Sequence, residues 1–179
     1  RYGENPHQES AIYSKTNNLN INKIHGKKLS YNNYNDIFSA LSISKTLPKN
    51  RGVVIVKHAN PCGVSIVKDK INCYLSAFAC DPISAFGGIV SCNFRINKKI
   101  ALELNKTFLE VIVANGFDNN ALKVLKSKKN LRIIDSSNFL LKSTFKINSV
   151  DRSLRRISKC YLGCFIFIHP NTFWSRILQ

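Results

Sequence analysis

The adjacent residues Lys57 and His58 are the pair in this sequence best suited to acid–base chemistry. Histidine has the side-chain pKa nearest to neutrality, and a lysine whose pKa is lowered by burial can act as a general acid or polarise a carbonyl group. Both residue types are also common at strand ends for structural reasons. The chemistry therefore depends on what surrounds the pair.

The pair follows residues 52–56, a β-branched run typical of a strand buried on both faces in a parallel sheet. A loop is expected directly afterwards, over residues 59–63. Ligands of open α/β sheets collect outside the carboxyl ends of the strands. Lys57, His58 and this loop are therefore the first candidates for a functional site.

A zinc-dependent deaminase is a second chemistry that parts of the sequence suggest. His7-Gln8-Glu9 has the H-x-E form, and Pro61-Cys62 has the form of the start of P-C-x-x-C. The position of the second cysteine holds Ser65, so a thiolate of the zinc ligand set is missing. We therefore predict no metal site.

Two other places are suited to ligand contact. The Ser-Ala-Phe-Gly-Gly segment at 84–88 either offers backbone N–H groups to an anion, lets a flat ligand approach closely, or is only a tight turn. Glu110 interrupts an apolar strand, so it either faces solvent or accepts hydrogen bonds from a ligand. Neither the Rossmann fingerprint nor a P-loop occurs, which argues against an enzyme of nucleoside triphosphates.

The elements that must position these residues alternate between strands and helices. An apolar spacing over 37–47 predicts a helix that is capped by Asn35 or Asp36 and ends at Pro48. Further helices are expected near 71–79, 98–105 and 119–126, and further strands from 89, at 111–113 and at 131–134. This alternation predicts a layered α/β domain over residues 1–135. Residues 136–179 show a weaker pattern and form a separate tail in this interpretation.

The composition predicts a globular, cytoplasmic protein. Of 179 residues, 44% are hydrophobic and 21% are charged, which is unlike a disordered chain. No apolar run approaches the roughly 20 residues that span a bilayer, and no signal-peptide pattern opens the chain. The six cysteines are expected to be reduced thiols. Because the chain starts at Arg1 and contains no Met, we interpret it as an internal fragment.

The net charge of +17 raises an alternative, a basic RNA-binding or scaffold domain. The chain is rich in Lys, Asn and Ile together, the residues with A- and T-rich codons, so mutational bias also accounts for the charge. The basic residues are dispersed rather than interleaved with stacking aromatic residues. We therefore expect no nucleic-acid partner.

Four segments, in this order, resemble the transformylase domain of the bifunctional purine-biosynthesis family AICAR transformylase/IMP cyclohydrolase. They are Arg1-Tyr2-Gly3-Glu4-Asn5-Pro6-His7-Gln8, Gly26-Lys27-Lys28-Leu29-Ser30-Tyr31-Asn32-Asn33, Val56-Lys57-His58-Ala59-Asn60-Pro61-Cys62-Gly63 and Asp81-Pro82-Ile83-Ser84-Ala85-Phe86-Gly87-Gly88. The similarity runs from residue 1 to about residue 135 and continues more faintly to 157.

The resemblance implies a cytidine-deaminase-like layered α/β fold, of which this chain is the truncated first lobe. It also implies transfer of a formyl group from the co-substrate 10-formyltetrahydrofolate to the amine of AICAR, in a homodimeric enzyme. By this similarity Lys57 and His58 match the catalytic pair. The positions that match AICAR contacts are Arg1, Tyr2, Gly87 and Glu110.

The departures from the family also lead to an expectation. The family places its cyclohydrolase domain before the Arg-Tyr-Gly motif and continues into a second lobe, and neither is present in this sequence. Nothing of the family is recognisable over 163–179, which we interpret as a frameshifted or degraded tail. We expect this chain alone to catalyse neither reaction of the bifunctional enzyme.

Overall fold

The computed structural model of the chain describes residues 19–141 and the backbone of two further strands, β7 (Phe145–Ser149) and β8 (Arg155–Lys159). The expected loop at 1–8 lies outside the described residues, and so do Arg1 and Tyr2, which are candidates for ligand contact. The chain divides into two compact units, with the division after Leu141. In the second unit, β7 and β8 pair as an antiparallel ribbon.

The first unit is a mixed sheet flanked by helices, as the alternating pattern predicted. Its strands are β1 (Asn22–His25), β2 (Gly52–Lys57), β3 (Asn60–Ile66), β4 (Ile89–Cys92), β5 (Val111–Ala114) and β6 (Arg132–Asp135). Its helices are α1 (Tyr31–Ser44), α2 (Lys70–Cys80), α3 (Pro82–Ala85), α4 (Lys98–Lys106) and α5 (Asn119–Leu125). Within the described part of the chain, no helix has the length and apolar character needed to cross a membrane.

The six strands lie in the order β1-β6-β5-β4-β2-β3. Strands β4, β5 and β6 are parallel, whereas β2 is antiparallel to both of its neighbours, β3 and β4. The expectation of a parallel β2 is therefore wrong, although the strand is buried on both faces as its β-branched residues indicated. Because β2 runs the other way, its carboxyl end lies beside the amino ends of the three parallel strands.

Two hydrophobic clusters cover the two faces of the sheet. On one face, Ile37 and Leu41 of α1 pack with Val54 and Val56 of β2. On the other face, α2, α4 and α5 pack against the strand side chains that point the opposite way, such as Ile55 of β2. The period-2 alternation of a strand explains why adjacent valines and isoleucines serve different clusters. Helices therefore pack on both faces of β2, the strand that ends at Lys57.

Helix α1 begins earlier than predicted. Its N-cap is Ser30, whose hydroxyl accepts a hydrogen bond from the N–H of Asn33 at 3.3 Å, while the Asn33 side chain accepts one from the N–H of Ser30 at 3.1 Å. This reciprocal capping satisfies two backbone donors at the helix start. Asn35 and Asp36, the predicted caps, therefore lie inside the helix, which ends at Ser44 before Pro48 is reached.

Strand β3 is absent from the sequence-based expectations, because Asn60-Pro61-Cys62-Gly63 has the composition of a loop. The strand lies at the edge of the sheet, and its register with β2 shifts between Ile55 and Val56, opposite Pro61. Proline is tolerated at edges and bulges, where its missing N–H breaks no ladder hydrogen bond.

The described cysteines Cys62, Cys73, Cys80 and Cys92 are free thiols, as expected.

Gly63 allows α2 to lie directly on β3. A Cβ atom at this position would overlap the backbone carbonyl oxygen of Ala77, which no side-chain rotation can relieve. We expect Gly63→Ala to lower the free energy of unfolding by about 1–3 kcal/mol, measured from the urea midpoint. Ser76→Ala, on the exposed side of α2, is the control and should change it by less than about 0.5 kcal/mol. An unchanged midpoint for Gly63→Ala would contradict this close packing.

Candidate functional site

His58 lies in a two-residue turn that joins β2 to β3. His58 and Ala59 have φ angles of 52° and 60°, and Lys57 pairs with Asn60 across the turn. Positive φ at both central residues is the pattern of a type I′ hairpin, which the right-handed twist of the strands favours. His58 is exposed, so its imidazole is accessible to a ligand. The expected loop at 59–63 is thus a tight turn followed by a strand.

Two hydrogen bonds hold this turn. The side chain of Asn60 donates to the carbonyl oxygen of His58 at 3.0 Å, and the N–H of Ala59 donates to Oδ1 of Asp36 at 2.6 Å. Asp36 belongs to α1, so the second bond connects the turn to the helix that packs on the sheet. Sequence reasoning considered Asp36 only as a helix cap and missed this contact.

Lys57 occupies the last position of β2 and is partly exposed. Its Nζ donates a hydrogen bond to the carbonyl oxygen of Phe86 at 2.9 Å. Phe86 immediately follows α3 and precedes Gly87. The ammonium group is therefore held beside the glycine turn that sequence reasoning had singled out separately.

The backbone N–H groups of residues 84–88 are already used within the protein. Their acceptors are the Asp81 side chain for Ser84, the Asp81 carbonyl for Ala85, the Ile83 carbonyl for Phe86, the Phe108 carbonyl for Gly87 and the Ala85 carbonyl for Gly88. The interpretation of this segment as a backbone anion site is therefore wrong, and the tight turn is confirmed.

Gly87 and Gly88 are suited to their positions for different reasons, one a matter of backbone conformation and the other a matter of space. Gly87 has a φ of 72°, in the left-handed region that side chains disfavour. At Gly88 a Cβ atom would lie 3.0 Å from the carbonyl oxygen of Ala85 and 3.2 Å from that of Val56. A side chain at this position would therefore be tightly packed against the end of β2 and would require its neighbours to move by a few tenths of an ångström.

Two ionisable groups near Lys57 have shifted pKa values. Hydrogen bonds from the Ser84 hydroxyl and N–H, with a smaller contribution from the charge of Lys57, hold the pKa of Asp81 below its usual value. Burial raises the pKa of the Cys62 thiol, although the charge of Lys57 opposes this. Cys62 is therefore a protonated thiol at neutral pH and is poorly suited to nucleophilic catalysis.

Glu110 immediately precedes β5, and its side chain is 45% exposed. Its Oε2 accepts a hydrogen bond from the side-chain amide of Asn33 at 3.1 Å, and Nη1 of Arg132 lies 3.8 Å from the same oxygen. The N–H of Glu110 also donates to the carbonyl oxygen of Gly88 at 3.1 Å. The carboxylate is therefore both accessible and oriented by the protein.

The strand register places these positions at the same end of the sheet, where neighbouring strands begin or finish. Val56 lies beside Ile89, Ile89 beside Val111, and Val111 beside Arg132. The residues just beyond this row are Lys57, Gly88 and Glu110. Four of the six predicted site residues, namely Lys57, His58, Gly87 and Glu110, thus lie at the same end of the sheet, with Glu110 one strand further from β2 than Gly87 and Gly88.

Asn33 and Arg132, which contact Glu110, were missed by the sequence reasoning. The spacing of Asn33 from Ser30 is that of a capping box, which could have placed Asn33 at the start of α1 but carries no signal of its contact with Glu110. No group of three or more His, Cys, Asp or Glu side chains within the described residues is arranged to hold a metal ion. Ser65, the residue that broke the deaminase motif, lies in β3.

The candidate pair Lys57–His58 thus lies at one end of a mixed α/β sheet, and comparison with known proteins identifies the family of the chain. The family model described as AICARFT/IMPCHase bienzyme matches residues 1–158. The chain therefore belongs to this family of bifunctional purine-biosynthesis enzymes, as its four motifs indicated.

Individual relatives are bifunctional purine-biosynthesis proteins. The chain is 42% identical over 163 residues to "Bifunctional purine biosynthesis protein PurH" of Acetivibrio thermocellus, an alignment that covers 86% of this chain and 31% of the relative. It is 47% identical over 139 residues to the PurH protein of Bacillus cytotoxicus, covering 75% of this chain and 27% of the relative. The chain thus spans less than a third of the length of these relatives.

Proposed function

We propose that the first unit carries part of an AICAR formyltransferase site on a cytidine-deaminase-like fold. The observation that carries this proposal is that Lys57, His58, Gly87 and Glu110 lie at the same end of the sheet. The AICAR-contacting role of Arg1 and Tyr2 is part of the same proposal, with Arg1 suited to the phosphate group. The enzyme is proposed to act as a cytoplasmic homodimer with 10-formyltetrahydrofolate as co-substrate.

The reaction needs a base and an electrostatic stabiliser. The exocyclic amine of AICAR is a weak nucleophile, so removing its proton as it attacks the formyl carbon lowers the barrier, and the exposed imidazole of His58 suits that role. Attack forms the new C–N bond and a tetrahedral intermediate, whose oxyanion the ammonium of Lys57 stabilises or protonates. The intermediate then breaks its C–N bond to the folate nitrogen, which leaves with the proton that the His58 imidazolium returns.

Glu110 suits a binding role rather than a proton-transfer role. Its carboxylate is oriented by Asn33 and Arg132 and still half exposed, so it can accept hydrogen bonds from donors on the substrate. Gly87 leaves room for a planar ring to lie against the turn, because it has no side chain. Both contributions favour ground-state binding of AICAR.

Isothermal titration of the folded chain with AICAR tests the proposal. We expect binding at or below millimolar concentration, and roughly 10- to 100-fold weaker binding by Glu110→Ala, since hydrogen bonds to charged groups contribute about 1.5–3 kcal/mol. Glu103→Ala is the control, because among the recorded ion pairs of the described residues the partly exposed Glu103 pairs only with Lys106, within α4. Folded chain that binds no AICAR at millimolar concentration would contradict the proposal.

A further inference from the structure

The turn that presents His58 has a conformation that its own residues do not favour. Type I′ turns are dominated by Asn-Gly and similar pairs, because both central residues need positive φ. In this chain the two positions hold His58 and Ala59, with φ angles of 52° and 60°. Left-handed backbone at such residues persists only where the surrounding structure imposes it.

We infer that Asp36 is a positioning residue, whose carboxylate imposes the left-handed turn and thereby sets where the His58 imidazole is presented. The inference rests on the proposed function only for the role of His58. The geometry that carries it is the 2.6 Å hydrogen bond from the N–H of Ala59 to Oδ1 of Asp36. A bond to an ionised acceptor is shorter and stronger than one between neutral groups.

The other recorded hydrogen bond of the turn cannot play this part. The Asn60 amide donates to the carbonyl oxygen of His58, only two residues away, so this bond moves with the hairpin. Asp36 instead belongs to a different element, 23 residues earlier in the chain. Of these two bonds, the one to Asp36 joins the turn itself to another element.

Helix α1 is a suitable anchor for such a bond. Its start is held by the capping box at Ser30, and Ile37 and Leu41 are fully buried against β2 and its neighbours. Asn33 and Asp36 are three positions apart, so they lie on one side of the helix. Asn33 orients Glu110, and Asp36 holds the His58 turn. One helix side thus sets the geometry of a binding residue and of a catalytic residue.

Catalysis is sensitive to this kind of placement. A general base must come within hydrogen-bond reach of the proton that it removes, and misplacement by about 1 Å can cost a factor of about 100 in rate. Loss of the Asp36 bond would release the turn toward conformations with negative φ. His58 would then be chemically intact but wrongly placed.

Nuclear magnetic resonance of the labelled chain tests the inference without any turnover. Scalar couplings and intraresidue nuclear Overhauser effects report the sign of φ at His58 and Ala59, and hydrogen exchange reports the protection of the Ala59 amide. We expect Asp36→Ala to abolish the positive φ at His58 and to accelerate exchange at Ala59 by about tenfold or more. Asp36→Asn, which keeps an acceptor oxygen, should retain the turn.

A glycine substitution separates positioning from general destabilisation. Ala59→Gly removes the Cβ atom that disfavours positive φ, so we expect the double variant Asp36→Ala with Ala59→Gly to regain the wild-type φ at His58. Asn35→Ala, an exposed neighbour in α1, is the control and should leave the turn unchanged. If Asp36→Ala fails to fold, Asp36→Glu moves the carboxylate by one methylene in a folded chain and should accelerate Ala59 exchange.

The outcomes distinguish this inference from the proposed function. Unchanged φ at His58 and unchanged Ala59 exchange in Asp36→Ala, or in Asp36→Glu where only that variant folds, would overturn the positioning role of Asp36. Adding millimolar AICAR should shift the His58 ring resonances of wild type, and less so those of Asp36→Ala. An AICAR-insensitive His58 in wild type would instead contradict the proposed function, while a lost turn in Asp36→Ala would still support the role of Asp36.

Discussion

Replacement of His58 by alanine should lower the turnover of formyl transfer by about two to four powers of ten, the usual contribution of a positioned general base. The assay uses a chimera in which residues 19–141 replace the matching segment of the Acetivibrio thermocellus PurH protein, which is 42% identical to this chain. The exposed His58 sits in a turn held by Asp36, so its loss should leave the sheet intact. We expect the fall in kcat with little change in the KM for AICAR.

The strained turn makes the choice of control variants important. His58→Asn removes the base but keeps a residue that tolerates positive φ, so it should lose as much activity as His58→Ala. His25→Ala replaces another described histidine, which lies in β1 and contacts the carbonyl oxygen of Lys128. This variant should leave turnover nearly unchanged. Added imidazole should restore part of the activity of His58→Ala. Wild-type turnover in His58→Asn would show that the imidazole is not the base.

The sequence correctly placed Lys57 and His58 at the end of a buried strand, but it predicted the wrong direction for that strand. Lys57 and His58 were selected because ligands collect at the carboxyl ends of parallel strands. In the structure, β2 is antiparallel to β4, so the pair lies at the amino ends of β4, β5 and β6. Strand direction depends on pairing between distant segments, and no local pattern of residues 52–56 encodes it.

Helix α1 and strand β3 show why the remaining parts of the site were missed. The polar residues before Ile37 suggested a cap, whereas Ser30 supplies it and Asp36 is available to bond Ala59. Pro61 suggested a loop, whereas an edge position beside a bulge accommodates it in a strand. At α1 a second local cap was overlooked, whereas at β3 the pairing with β2 overrode the local preference for a loop.

The helices and strands remote from the site were easier to predict. The expected helices near 71–79 and 98–105 correspond to α2 (Lys70–Cys80) and α4 (Lys98–Lys106), each with a side-chain cap from Asp69 or Asn97. Capping residues and amphipathic spacing are local signals, so a single sequence carries them. By contrast, the contacts of Glu110 with Asn33 and Arg132 join residues far apart in the chain.

Lys57→Met should lower kcat in the same chimera by about a hundred- to a thousandfold, the usual cost of losing one donor to a developing oxyanion. Methionine keeps an unbranched side chain of similar length and removes the charge. The lost hydrogen bond to the Phe86 carbonyl is partly exposed, so its removal should cost no more than about 1 kcal/mol of stability. Lys68→Met, at an exposed position, is the control and should keep wild-type turnover.

The double variant of Lys57 and His58 shows whether the two residues act as a unit. The effects of groups that act together are not additive, so the combined loss in Lys57→Met with His58→Ala should fall short of the product of the single losses. Losses that multiply would instead mean that the two residues contribute independently to the rate-limiting barrier. If Lys57→Met keeps kcat within about threefold of wild type, the hydrogen bond between Lys57 and the Phe86 carbonyl only fastens β2 to the glycine turn, and the oxyanion needs another donor.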